Sequence, residues 1–124
     1  MKAAIFVLSD PKSGGEEALG RLFNALAAAY EYKHAGDDVT VTFQGAGTRW
    51  VAELSKPDHP ANGLFNAVLD KVAGVSCGCS DVFGTHEEAE SRGFAVLKEN
   101  AVPGTSGLAS FRKFDKEGYQ IFTF

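Results

Sequence analysis

Both cysteines of the chain, Cys77 and Cys79, lie only two residues apart. They stand where a short apolar stretch runs into a turn of glycine and serine residues, directly before a predicted helix. In an α/β protein, ligands bind at that edge of the sheet. A thiol near a helix N-terminus meets a partial positive charge that favours the thiolate, the nucleophilic form of cysteine. The segment therefore predicts thiol chemistry.

Cys79 is the candidate nucleophile in this segment. It precedes Ser80 and Asp81, where the helix is predicted to begin, so their backbone N–H groups would stabilise its thiolate. Cys77 is predicted to lie buried at the end of the strand, where burial suppresses the reactivity of a thiol. The simpler alternative is that Cys77 is a small core residue and Cys79 an incidental residue of the turn.

Neither a stable disulfide nor a metal site is predicted here. Alternate residues of an extended strand lie about 6.5–7 Å apart, at the upper limit for a disulfide, so a Cys77–Cys79 bond would be strained and easily reduced. A metal site of Cys77, Cys79 and His86 lacks the second Cys-x-x-C pair of structural zinc sites. We therefore expect no metal ion.

The loop Ser9–Gly15 follows the first predicted strand and opens a helix, which is where phosphate-binding loops lie. It contains neither a G-x-G-x-x-G motif nor a G-K-[ST] ending, so it predicts no nucleotide site. Ser9 and Gly14 in this loop, and Gly45 after the second strand, are instead candidates for contacting a ligand at the same edge of the sheet.

The composition excludes two classes of partner. A net charge of −4 and a pI of about 5.3 leave no broad basic surface for nucleic acid. No stretch approaches the roughly 18 apolar residues of a membrane span, and the apolar run Ala3–Leu8 is too short for a signal peptide. The two cysteines cannot cross-link distant parts of the chain, so we expect a cytoplasmic protein with one domain over residues 1–124.

Strand and helix patterns alternate along the chain. The predicted strands are Ala3–Leu8, Val39–Phe43, Val75–Cys77 and Tyr119–Phe124, with Phe94–Leu97 as a further strand or an extension of the preceding helix. The predicted helices are Glu16–Ala35, a short one within Gly45–Lys56, one over Leu64–Val72, Ser80–Arg92 and Gly107–Glu117. This order predicts an α/β fold with a mostly parallel sheet of about five strands and helices on both faces.

Taken together, these elements resemble those of the DsrE/DsrF-like family of small sulfur-trafficking proteins. The likeness spans nearly the whole chain, and its parts are Lys2–Leu8, Glu16–Ala35, Val39–Phe43, the Gly74-Val75 strand leading to Cys79, Val102-Pro103-Gly104 and Glu117-Gly118-Tyr119. The resemblance implies a three-layer, flavodoxin-like subunit that assembles into dimers, trimers or hexamers, and we expect a homo-oligomer, a trimer or hexamer rather than a monomer. It implies no organic cofactor and no metal.

The resemblance also implies that sulfur is carried as a persulfide on the cysteine after the third central strand, by position Cys79. We therefore expect a sulfurtransferase-like relay between donor and acceptor proteins, with Cys77 resolving the persulfide through a transient disulfide. The family pattern does not require Cys77, and the segment Ala46–Asn62 is longer than a minimal member needs. The alternative is a homo-oligomeric module that binds a small ligand or a partner protein at this edge, with both cysteines inert.

Overall fold

The fold is built around a parallel sheet. The computed structural model describes all residues from Met1 to Phe124. Its strands are β1 (Lys2–Val7), β2 (Asp38–Phe43), β3 (Val72–Ser76), β4 (Val96–Leu97) and β5 (Gln120–Thr123). They lie in the order β4-β3-β2-β1-β5, and every neighbouring pair is parallel. The predicted three-layer, flavodoxin-like α/β fold is confirmed.

Six α-helices connect the strands. They are α1 (Gly15–His34), α2 (Trp50–Leu54), α3 (Asn62–Ala67), α4 (Cys77–Val82), α5 (His86–Ser91) and α6 (Phe111–Lys116), with 3-10 turns at Gly45–Arg49 and Leu69–Lys71. The long first helix and the second strand lie where the sequence predicts them. None of the helices combines the length and the apolar character that a membrane span requires.

The two faces of the sheet carry cores of different size. Successive residues of a strand point to opposite faces, so Ile5 and Phe6 of β1 enter different cores. Ile5 joins the larger core, where α1 contributes Leu22 and Leu26, and where α2, α3 and α5 also pack. Phe6 joins the smaller core with Phe114 of α6. Because both faces are covered, the whole of β1 after Lys2 is buried, which explains its unbroken apolar run.

Three boundaries near the middle of the chain differ from the prediction. The helix predicted to reach Val72 ends at Ala67, and the strand predicted to begin at Val75 already begins at Val72. The helix predicted over Ser80–Arg92 is two helices, α4 and α5, because Gly84 between them adopts a φ of +68°, which interrupts a right-handed helix.

The last helix and the fourth strand are both shorter than the sequence predicts. The helix predicted from Gly107 begins only at Phe111, because Gly107 has a φ of +104° and its neighbours form a loop. The predicted strand Phe94–Leu97 contains only the short β4 and does not extend α5. The loop between β4 and α6 therefore includes Thr105–Ala109, which reaches the end of β3.

Candidate functional site

The third strand ends one residue before the first cysteine. β3 ends at Ser76 in an extended conformation, and Cys77 is the first residue of α4. The sequence placed Cys77 in the strand and began the helix at Ser80, which is three residues too late. The cysteine that directly follows the third strand is therefore Cys77, and the backbone amides of Ser80 and Asp81 lie beyond the first residues of α4.

The two thiols point in different directions. Residues two positions apart in an α-helix do not face each other, so the thiols of Cys77 and Cys79 lie on different sides of α4. Cys77 is only 5% exposed, whereas Cys79 is half-buried, and both are free. The transient disulfide that the sequence predicted between them would require this helix to unwind.

Cys77 contacts a hydroxyl from a distant loop. Its Sγ lies 3.2 Å from Oγ of Ser106, and the Ser106 hydroxyl donates a hydrogen bond of 2.6 Å to Oδ2 of Asp81. A serine hydroxyl has one hydrogen, which here goes to Asp81, so the thiol is the donor in the bond between Cys77 and Ser106. Asp81 lies four residues after Cys77, on the same side of α4.

The line of contacts continues from Asp81 into α5. Oδ1 of Asp81 lies 3.0 Å from Nδ1 of His86, and Nε2 of His86 contacts the carboxylate of Glu90 one turn further along α5. The Ser106 hydroxyl, followed by His86, holds the pKa of Asp81 below its usual value, so Asp81 is ionised at neutral pH. We call this group the Cys77 cluster: Cys77, Ser80, Asp81, His86, Glu90 and Ser106.

Ser80 supports the cluster through its side chain rather than its amide. Its buried hydroxyl donates to the carbonyl oxygen of Cys77 at 2.6 Å and lies 3.4 Å from Nδ1 of His86. Ser80 and Asp81, whose backbone N–H groups were predicted to stabilise a thiolate on Cys79, therefore lie beside Cys77. They contact the backbone of Cys77, His86 and Ser106 rather than Cys79.

Two glycines let the loop of Ser106 approach α4. The Gly78 N–H donates to the carbonyl oxygen of Gly107 at 2.7 Å, and the Ala109 N–H donates to Oγ of Ser76 at 3.0 Å. A Cβ at Gly78 would lie 3.1 Å from that Gly107 oxygen, so any side chain there would push the loop away. A cavity of about 270 Å³ opens beside the cluster and is lined by Gly78, Asp81, Val82, Gly104, Thr105 and Ser106.

The other predicted ligand-binding residues lie elsewhere along the same edge. Ser9 and Gly14 line a cavity of about 520 Å³ between the ends of β1 and β5. Gly45 opens the 3-10 turn after β2 with a φ of +59° and accepts a hydrogen bond from Thr48 Oγ1, but it does not line that cavity. The predicted site residues therefore do not form one site: Ser9 and Gly14 line this cavity, Cys77, Ser80 and Asp81 lie together, and Gly45 and Cys79 belong to neither group.

Arg49 joins the loops along this edge. Its guanidinium lies 2.9 Å from Oδ2 of Asp10, after β1, and 5.0 Å from the ring centre of Phe83, after α4. The Ser13 hydroxyl, followed by the Lys12 amide, lowers the pKa of Asp10 from its usual value. The edge thus carries an ion pair whose carboxylate, Asp10, lines the cavity of about 520 Å³.

The segment Ala46–Asn62 belongs to the core. Trp50 and Leu54 are almost fully buried, and the Trp50 indole N–H donates to the carbonyl oxygen of Ser9 at 2.8 Å. Its apolar residues Trp50, Val51, Leu54 and Ala61 join the larger core.

Sequence reasoning missed Ser106 and Glu90. Ser106 lies 29 residues from Cys77, just before the helix predicted from Gly107, and nothing in the local pattern signals that contact. Glu90 had a signal, because its spacing of four residues from His86 places both on one side of a helix.

Comparison with known proteins supplies a family. A family model described as the DsrE/DsrF-like family matches residues 1–124. The chain is also similar to an uncharacterized protein of Methanocaldococcus jannaschii, with 28% identity over 100 residues that cover 81% of this chain and 77% of the relative. No solved structure matches the chain.

Proposed function

Because this chain belongs to the DsrE/DsrF-like family, we propose that it is a sulfur-relay protein that carries sulfane sulfur as a persulfide on Cys77. Family membership suggests the relay in general. The observation that supports Cys77 as the carrier is its position: it directly follows β3 and donates a hydrogen bond to Ser106. Two free, adjacent thiols suit the reducing cytoplasm, where we place the protein.

The choice of Cys77 over Cys79 rests on the end of β3. The resemblance puts the carrier on the cysteine after the third central strand, and β3 ends at Ser76. Cys77 is also the thiol that takes part in a hydrogen bond with another side chain, and the series of contacts beyond it ends at His86 and Glu90. Cys79 lies on another side of α4, away from these groups.

The proposed transfer conserves sulfur and electrons. The Cys77 thiolate attacks the outer sulfur of a donor persulfide, the S–S bond of the donor breaks, and the donor leaves as a thiolate. Cys77 then holds the persulfide. An acceptor thiolate attacks its outer sulfur and releases the Cys77 thiolate, so no external oxidant or reductant is consumed.

The cluster gives the thiol proton a path away from sulfur. The thiol donates to Ser106, whose hydroxyl donates to ionised Asp81, and Asp81 contacts His86. A proton that moves along these bonds leaves a thiolate on Cys77, whose neighbours Asp81 and Ser106 line the cavity of about 270 Å³. That cavity is the space in which the outer sulfur would lie.

Mass spectrometry of the intact protein tests this assignment. The wild type is incubated with a low-molecular-weight persulfide, and the matched variants Cys77→Ser and Cys79→Ser are treated in parallel. We expect a gain of one sulfur atom, reversed by dithiothreitol, in the wild type and in Cys79→Ser but not in Cys77→Ser. The opposite pattern would assign the carrier to Cys79, and no gain in any form would reject the relay.

We also propose that the protein acts as a homo-oligomer. The family resemblance supports this proposal, and Val82, which is 76% exposed and lines the cavity beside the Cys77 cluster, is an apolar side chain available for such a contact. A second copy of the chain would bury it. Light scattering should give a mass of at least two chains at micromolar concentration, and a monomer would contradict the proposal.

A ligand-binding module is the second candidate function. The cavity of about 520 Å³ between the ends of β1 and β5 favours it, because ligands of α/β proteins bind where neighbouring connections diverge. In that case both thiols would be inert. A carrier thiol should react with iodoacetamide in the folded protein near neutral pH, whereas inert thiols should react only after unfolding.

A further inference from the structure

The Cys77 cluster holds three ligand types that zinc prefers. One atom each from Cys77, Asp81 and His86 lie within 4.8 Å of one another. The sequence analysis considered Cys77, Cys79 and His86 together and predicted no metal, because no second Cys-x-x-Cys pair is present. In the folded chain Asp81 takes the place of Cys79, so thiolate, carboxylate and imidazole converge.

From this convergence we propose that Cys77, Asp81 and His86 bind a divalent transition-metal ion, zinc in the first instance. Bond lengths of about 2.0–2.3 Å place the ligand atoms of a tetrahedral zinc site roughly 3.3–3.8 Å apart. The observed spacing, within 4.8 Å, is wider by up to about 1.0–1.5 Å, which side-chain rotations can close. Three protein ligands leave the fourth position to water, as in zinc sites that remain open.

The groups around these three residues are arranged as a metal site requires. Glu90 accepts from the Nε2–H of His86, and the Nδ1–H donates to ionised Asp81, so a metal ion would take the place of the Nδ1 hydrogen between His86 and Asp81. Ligating histidines commonly give their second N–H to a carboxylate in this way. Ser106 donates to Oδ2 of Asp81 and leaves Oδ1 on the side of His86.

Each ligand is also positioned by a separate local feature. Cys77 and Asp81 share a side of α4 because four residues separate them. His86 is the first residue of α5, and the turn at Gly84 brings the start of that helix back toward α4. His86 and Glu90 are again four residues apart. The site thus uses two short helices and the turn between them.

Metal binding has a consequence for the proposed function. Binding would release two protons to solvent, one from the Cys77 thiol and one from Nδ1 of His86, with no change in oxidation state. A thiolate bound to zinc is no longer free to attack a persulfide, so a bound metal ion would inhibit sulfur transfer to Cys77. This consequence rests on the proposed sulfur relay, whereas the metal site itself does not.

Cobalt titration tests the site directly. The reduced full-length protein is titrated with Co²⁺, and the thiolate-to-cobalt charge-transfer band and the visible bands of tetrahedral cobalt are recorded, followed by displacement with Zn²⁺. We expect one equivalent to bind. The bands should be lost in Cys77→Ser and His86→Ala and kept in the controls Cys79→Ser and His34→Ala, since His34 is exposed on another helix.

A further variant tests the supporting carboxylate. Glu90→Gln should keep the cobalt bands while weakening the affinity roughly 10-fold or more, because it loosens the hold on His86. Absence of bands in the wild type, bands that survive in His86→Ala, or bands lost in Cys79→Ser would each overturn the site.

Sulfur loading separates the two proposals. Loading of Cys77 is measured by mass in metal-free protein and in protein saturated with Zn²⁺, and we expect saturation to suppress it. Cobalt binding without loading of the metal-free protein would reject the relay and retain the metal site. Loading that zinc leaves unchanged would reject the proposed control by metal.

Discussion

Replacing Gly78 by alanine should destabilise the protein, although alanine is the better helix former. Gly78 lies in α4 against the loop that carries Ser106. A Cβ there would lie 2.7 Å from Cδ2 of Leu108, 3.1 Å from the Gly107 oxygen and 3.2 Å from Cβ of Thr105. Leu108 can rotate away, but the backbone of Gly107 can yield only if the loop moves.

Two free energies oppose each other in this variant. Alanine stabilises a helix over glycine by up to about 1 kcal/mol. Forcing an extra carbon into a packed contact costs about 1–3 kcal/mol. Moving the loop also lengthens the 2.7 Å bond from Gly78 to Gly107 and the 3.2 Å contact from Cys77 to Ser106. We therefore expect a net loss of about 1–2 kcal/mol in the free energy of unfolding.

The matched control is Gly20→Ala. Gly20 is an exposed residue in the interior of α1, and a Cβ there meets no atom within 4 Å, so alanine should stabilise the protein by up to about 1 kcal/mol. Urea unfolding followed by the fluorescence of Trp50, the only tryptophan, measures both variants. If Gly78→Ala were stabilising like the control, the loop would not pack on α4 and the position of Ser106 beside Cys77 would be refuted.

Three further substitutions test other parts of the edge and its supports. The folded chain lowers the pKa of Asp10, mainly through the hydrogen bond from Ser13, so ionised Asp10 stabilises the fold at pH values above its unfolded pKa of 3.8. Asp10→Asn should therefore lower Tm at pH 7, and the difference in Tm from the wild type should vanish as the pH falls below the pKa of Asp10 in the folded chain. Trp50→Phe leaves the Ser9 carbonyl without its donor and should cost about 1–3 kcal/mol in chemical unfolding, whereas an unchanged midpoint would refute that hydrogen bond. Ser110→Ala removes the side-chain cap of α6 and should cost about 1 kcal/mol in thermal unfolding, with Ser110→Asp retaining the cap as a control.

The sheet could be predicted because burial of a strand on both faces requires an unbroken run of apolar residues. A strand covered by helices on both sides has no exposed face, so Ala3–Val7 is uniformly apolar. The helix α1 could be predicted from another local pattern. Leu22 and Leu26 recur at helical spacing, and Gly36 follows the end of the helix with a φ of +79°. Each of these patterns can be recognised from a few neighbouring residues, and the folded chain has the local structure that they predict.

The path of the loop between β4 and α6 cannot be predicted from a local sequence pattern. Its path is determined by contacts with residues far away in the chain, among them the bond from Ala109 to Ser76 and the close approach of Gly107 to Gly78. Gly107 reads locally as a helix boundary, yet its φ of +104° serves to turn the chain beside Lys98. Ser106 is therefore a site residue that only the folded chain reveals.

The composition of the site follows from where one strand ends. Residues two apart share a face in a strand, whereas residues four apart share a side in a helix. If β3 continued past Cys77, the side chains of Cys77 and Cys79 would lie on the same face of the strand. Because α4 begins at Cys77, the pair is Cys77 and Asp81, and Cys79 turns away. A pair of cysteines would favour disulfide exchange, but a thiol beside a carboxylate and an imidazole favours proton transfer and metal binding.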